Sequence, residues 1–123
     1  MKRCLAVTTL VAAAFIVSCG DESPELPHQT VTYFYEVICC SCTETAEMTR
    51  VSNDVFGLGR DYEHIEAKAF DIYTPAGLDE LKRTAERLGR NAMHLTPPAL
   101  VVDDEVYLGL EAIQAELDRL HGR

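Results

Sequence analysis

The chain has 123 residues, of which 47% are hydrophobic and 25% are charged, and its net charge is −9. This composition is typical of one globular domain. It argues against nucleic acid as a partner, because such binding depends on clustered cations that neutralise phosphates, and the sequence has no basic cluster.

The start of the chain has the pattern of an export signal. Lys2 and Arg3 form a basic start, and the apolar run Leu5–Val17 follows. That run is short for a bilayer span but suits a signal-peptide core. We therefore expect the domain to be exported.

The apolar run ends at Ile16-Val17-Ser18-Cys19, which resembles the bacterial lipobox. The resemblance implies that residues 1–18 are a lipoprotein signal peptide and that Cys19 becomes an acylated, palmitate-bearing N-terminus. Their removal takes away two cations and no acid, which makes the net charge −11. With no basic patch to attract anionic lipid, membrane attachment would depend on the acyl chains. An uncleaved anchor and an ordinary secretory signal are the alternatives, and either one exports the domain.

Three cysteines remain for the folded part of the chain. Cys4 leaves with the signal and Cys19 carries lipid, so Cys39, Cys40 and Cys42 are left. Three thiols within four residues do not make the disulfide framework of a small secreted protein. One of them must stay free or find a partner.

The first half of the domain alternates strand and helix patterns. Residues 19–30 are acidic and contain two prolines, which indicates a disordered tether, and the domain is expected at 31–123. Val31–Ile38 has the β-branched and aromatic residues of a central strand. A helix is predicted to run to about residue 58, ended by Gly57 and Gly59, and a strand follows at 64–72.

The second half adds a helix, a hairpin and a closing helix. Thr74-Pro75 reads as a cap and a first-turn proline, and the apolar stripe after it ends at Gly89. Residues 99–102 and 105–108 form a hairpin around Asp103-Asp104, and a helix follows Gly109. The predicted order is β-α-β-α-β-β-α, an α/β fold with a mixed four-stranded sheet and helices on both faces.

The strand at 31–38 leads directly into Cys39-Cys40-Ser41-Cys42. At a helix start, unpaired N–H groups and the helix dipole stabilise a thiolate on the first cysteine. About four residues is the shortest separation that closes an unstrained bridge from there, which favours reversible exchange over structural bracing.

The chain resembles thioredoxin-fold proteins over residues 31–121. Two motifs carry the resemblance: the strand followed by Cys39-Cys40-Ser41-Cys42, and Pro98-Ala99-Leu100-Val101-Val102 at the hairpin. It implies that Cys39 is the nucleophile, that Cys42 is the resolving thiol and that Pro98 is a cis-proline lining the substrate groove. Pro97 is the alternative cis residue, and Pro98 is preferred because Ala99 begins the strand.

The sequence departs from the family at several positions. Tyr33 stands where thioredoxins have a buried acid, and Glu36 is either an accessory proton acceptor or a solvated strand-end residue. Pro97 has no N–H to offer a substrate backbone, which should weaken or alter the binding of an extended peptide. Cys40 is either a bystander, an alternative partner for Cys42, or a third soft ligand.

The remaining histidines and methionines are interpreted as structural. Met48 and Met93 are expected in the core and His94 on a loop surface. His28 is expected to be a solvated tether residue, and His121 to lie in a fraying C-terminus. None has the spacing that a metal site or a catalytic triad requires.

The expected function is an exported, membrane-anchored thiol–disulfide oxidoreductase. It would act on client protein thiols and disulfides through a Cys39–Cys42 disulfide, without a bound cofactor and with electrons from a membrane partner. The direction of electron flow stays open. The alternative is a binding or chaperone module for Cu(I) or another soft metal that uses Cys39, Cys40 and Cys42. The protein is placed in the cell envelope, facing the periplasm or the outside, and Gly20 after Cys19 leans towards the outer membrane.

Overall fold

The computed structural model describes residues 26–37 and 43–123, with residues 43–45 described by their backbone alone. The elements are β1 Gln29–Tyr35, α1 Thr43–Asp61, β2 Ile65–Asp71, α2 Pro75–Arg87, a short 3₁₀ helix Ala92–His94, β3 Ala99–Val102, β4 Glu105–Leu108 and α3 Leu110–His121. The predicted order of strands and helices is confirmed, with the 3₁₀ helix added.

The four strands form one mixed sheet in the order β2-β1-β3-β4. β1 and β2 are parallel, whereas β3 is antiparallel to both β1 and β4. β1 and β2 are parallel because helix α1, which connects them, carries the chain back to the end of the sheet at which β1 begins. The molecule is therefore an α/β protein, as the sequence predicts.

Alternating residues of the central strands fill two separate cores. Val31 and Tyr33 of β1 face the side covered by α1 and α3, while Phe34 faces the side covered by α2. The first core also contains Val51, Val55, Leu58, Ile65, Leu100, Val102, Ile113 and Leu117, and the second contains Leu81, Ala85, Leu95, Ala99 and Val101. Helices on both faces are thus confirmed.

Helix α1 passes through the two glycines that were expected to end it. It continues to Asp61, so the end predicted near residue 58 is wrong. A Cβ on Gly59 would lie 3.3 Å from the Cβ of Ala67 on β2. A glycine at this point allows the helix to approach the strand closely, and this packing outweighs a helix-propensity cost of about 1 kcal/mol.

Strand β1 begins and ends earlier than the predicted range 31–38. It starts at Gln29, whose N–H donates to the carbonyl oxygen of His64 at 2.8 Å. The predicted tether at 19–30 therefore overlaps the first two residues of the strand. At the other end, Glu36 and Val37 follow the strand.

Helix α2 begins and ends as its sequence predicts. The side chain of Thr74 accepts a hydrogen bond from the N–H of Gly77 at 3.0 Å, and Pro75 is the first helical residue. After the helix, Gly89 adopts φ +67°, a left-handed conformation that favours glycine. Local signals are sufficient here because the capping groups are close neighbours along the chain.

Candidate active-site edge

The cysteine motif itself lies outside the described residues. This applies to Ile38 and to Cys39, Cys40 and Cys42, and also to the predicted lipidation residue Cys19. Their predicted roles stay predictions. The structure describes the residues on both sides of the motif, and these locate the part of the sheet to which it is attached.

The end of β1 and the beginning of β3 lie at the same edge of the sheet. Phe34 pairs with Ala99, so the chain leaving β1 towards the cysteines starts beside the chain entering β3 from Pro98. The Pro97–Pro98 peptide bond is cis, which confirms the choice of Pro98 over Pro97 as the cis residue. We call this edge, where β1, β2 and β4 end and β3 begins, the Pro98 edge.

The three α-helices of the described residues all begin on the Pro98 side of the sheet. Thr43 starts α1 after β1, Pro75 starts α2 after β2, and Leu110 starts α3 after β4. The first turn of each helix leaves N–H groups unpaired and carries the positive end of the helix dipole. An anion formed near these helix starts, such as a thiolate, would be stabilised.

Exposed apolar side chains gather around the same edge. Val37, Tyr73, Leu78 and Leu108 lie at strand ends or in the first turns of α2, and we call these four residues the apolar rim. Met93, on the short helix that leads to Pro97, is 79% exposed, so its expected place in the core is wrong. Met48 is buried, as predicted. Only two other large apolar side chains of the described residues are exposed, Leu26 and Phe56.

Tyr33 occupies the position that the family resemblance assigns to a buried acid. Its side chain is fully buried, and its hydroxyl has no hydrogen-bond partner among the described residues. Burial, and secondarily the neighbouring Tyr35, raises the pKa of Tyr33 far above its usual value. The ring stacks on Tyr35 with centroids 5.5 Å apart. A neutral hydroxyl at this position can donate a hydrogen bond, but it cannot serve as a carboxylate base.

Two carboxylates lie where the parallel strands end. Glu36, half-buried, directly follows β1, and its predicted accessory role stays a prediction. Asp71 ends β2 beside Tyr35 and accepts the N–H of Tyr73 at 3.0 Å. Sequence reasoning missed Asp71, although an acid that ends a strand before Thr74-Pro75 was a usable signal.

A polar cavity of about 400 Å³ lies on the α2 side, away from the Pro98 edge. Thr32 and Thr84 line it together with Lys68 and Arg87. Arg87 is held by a carboxylate oxygen of Asp104 at 2.8 Å, and Lys68 is paired with Glu66 at 3.2 Å. Because these cations already have partners, the cavity is a weaker candidate site than the Pro98 edge.

The histidines do not form a site in the described part of the chain. His28 and His94 are exposed, as expected. His121 does not lie in a fraying terminus, because its Nε2 is 3.3 Å from a carboxylate oxygen of Asp54 and its side chain is only 13% exposed. Within residues 26–37 and 43–123, no three His, Cys, Asp or Glu side chains are placed to hold a metal ion. In the same ranges, no helix has the length and apolar character to cross a bilayer.

Comparison of the chain with protein-family models, curated proteins and solved structures finds no match. The sequence motif and the geometry of the Pro98 edge are the features of the chain that bear on its function.

Proposed function

We propose that the protein is a thiol–disulfide oxidoreductase with a thioredoxin-like fold. The observation that carries the proposal is the pairing of Phe34 with Ala99. It brings the chain that leads to Cys39 and the chain at Pro98 to one sheet edge, although they are far apart in sequence. The mixed sheet and the three helices that begin at this edge are compatible with such a fold.

In the proposed reaction, the thiolate of Cys39 attacks a client disulfide. One client sulfur leaves as a thiolate and takes up a proton, and a mixed disulfide joins Cys39 to the client. Cys42 then loses its proton and attacks the sulfur of Cys39, and the second client sulfur leaves as a thiolate and takes up that proton. The client gains two electrons, the protein is left with a Cys39–Cys42 disulfide, and a membrane dithiol donor restores it. No bound cofactor takes part.

The enzyme would be exported and anchored through lipid on Cys19. Strand β1 begins at Gln29, at the sheet edge opposite Pro98, so a tether that precedes Gln29 enters the domain there. Seven residues of strand separate the two edges by about 23 Å, at roughly 3.3 Å per residue. Anchoring on this side leaves the Pro98 edge free to meet client proteins.

Redox titration tests the proposed function. The purified protein is equilibrated with glutathione or dithiothreitol buffers, and the thiol state of Cys39 and Cys42 is read by alkylation and peptide mapping. We expect a reversible two-electron transition, and insulin reduction that is lost in Cys39→Ser. Equal insulin reduction by wild type and Cys39→Ser would contradict the proposal.

A further inference from the structure

The Pro98 edge carries acidic side chains without cationic partners. Glu36 and Asp71 follow or end strands at this edge, and Asp79 and Glu111 lie near the starts of α2 and α3. None of these four acids forms an ion pair with a residue of the described ranges. Together with the apolar rim, they define the surface that surrounds the end of β1.

The cations of the same elements are set back from this edge. Lys68 lies three residues before the end of β2, and Arg50 and Lys82 each lie seven residues after a helix start. Arg123 pairs with Asp54 towards the opposite edge, and the pairs Arg119–Glu116 and Arg83–Glu80 lie within α3 and α2, beyond the first turns of these helices. Acids without ion pairs, such as Glu63 and Glu105, also lie at the opposite edge, but there they are mixed with arginines. In the described ranges, the strand ends and the first helical turns at the Pro98 edge carry acids and no lysine or arginine.

A helix start stabilises one of these four acids without a cation. An acidic side chain near a helix N-terminus is stabilised by the positive end of the dipole and by unpaired N–H groups. Glu111, the second residue of α3, is in this position. Asp79 and Glu111 are exposed to an approaching molecule, whereas Glu36 and Asp71 are half-buried.

We propose that the Pro98 edge selects disulfides in polypeptide segments that carry Lys or Arg beside an apolar side chain. This inference rests on the proposed function and names its substrate class. The apolar rim supplies contact area, and the four acids attract a cationic segment and repel an acidic one. Exchange balances as in the proposed reaction: the reduced protein loses two electrons, and one peptide disulfide becomes two thiols.

Two matched peptide disulfides test the selection. They share one disulfide and its apolar neighbours and differ only in flanking Lys or Glu residues, and stopped-flow exchange with the reduced full-length protein is measured. We expect the Lys peptide to react roughly tenfold faster at low ionic strength. The ratio of the two rates should fall to about twofold at 0.5 M salt, because at that ionic strength screening limits the attraction between charges to a few ångströms.

A charge-matched pair of variants locates the effect. Asp79→Asn combined with Glu111→Gln should lower the Lys-to-Glu rate ratio to about threefold. The control, Glu63→Gln combined with Glu105→Gln, removes the same charge from exposed acids at the opposite edge and should keep the wild-type ratio. Circular dichroism confirms that both variants fold.

The outcomes separate this inference from the proposed function. Exchange at equal rates with both peptides at every salt concentration overturns the charge selection and leaves the oxidoreductase intact. An equal loss of selection in the control variant overturns the assignment to the Pro98 edge. No exchange with either peptide contradicts the proposed function itself.

Discussion

Gly77 lies so close to Asp71 that a Cβ on the glycine would overlap the Asp71 carbonyl oxygen. This contact holds the first turn of α2 against the end of β2 at the Pro98 edge. The carbonyl oxygen of Asp71 also accepts a hydrogen bond from the hydroxyl of Thr74 at 2.7 Å, and moving this oxygen would break that bond.

We predict that Gly77→Ala destabilises the protein by about 2 kcal/mol or more, because the added methyl must displace backbone. Urea unfolding measures the effect. Gly57→Ala is the control, since the nearest atom to its new Cβ, at 3.3 Å, belongs to the flexible side chain of Arg60. The control should be neutral or stabilising, by up to about 1 kcal/mol, because alanine is the better helix former. Equal destabilisation by both substitutions would contradict this account.

Tyr33→Phe should leave stability at neutral pH unchanged or raise it by up to about 1 kcal/mol, because the buried hydroxyl has no described partner. Burial raises the pKa of Tyr33 in the folded state. The part of the free energy of unfolding that comes from this pKa difference is complete below the unfolded pKa of about 10 and is lost as pH rises through the folded pKa. Wild type should therefore lose more stability than Tyr33→Phe above pH of about 10. Parallel unfolding curves for the two proteins across this range would refute the expectation.

Cys40→Ala should keep most disulfide-exchange activity and abolish any covalent dimer that forms without reductant. Successive side chains at a helix start are about 100° apart, so a motif that begins a helix would direct Cys39 and Cys40 to different sides. A bridge between adjacent cysteines is also strained. Peptide mapping of the oxidised protein checks the pairing, and a main bridge that contains Cys40 would require new roles for Cys39 and Cys42.

A second substitution of the same residue, Cys40→Ser, tests the Cu(I) alternative. Titration of the reduced protein with Cu(I) against a chelator should give weak binding that Cys40→Ser does not change. Tight binding that is lost in Cys40→Ser would favour the metal-binding module over the oxidoreductase.

Cys19→Ala should release the protein from membranes and leave the domain folded, because the predicted lipid is its anchor. Detergent-phase partitioning and globomycin-sensitive processing measure this, and circular dichroism reports folding. Wild-type protein found wholly in the aqueous phase would end the lipoprotein hypothesis.

The sequence by itself determined the order of the elements and the signals that act over a few residues. Thr74-Pro75, Gly89 and the Asp103-Asp104 turn were identified correctly because caps and turns depend on neighbouring atoms in the chain. The choice of Pro98 as the cis residue was also available, because Ala99 begins β3.

Tertiary packing decided what local patterns could not. Gly57 and Gly59 resemble a helix end in sequence. Helix α1 nevertheless continues, because Gly59 packs against Ala67 of β2, the strand that follows α1 in the chain. Met93 has the apolar character of a core residue but is exposed beside the proline segment. The Pro98 edge is likewise a product of the fold, because hydrogen bonding between β1 and β3 brings together segments that are more than sixty residues apart in the chain.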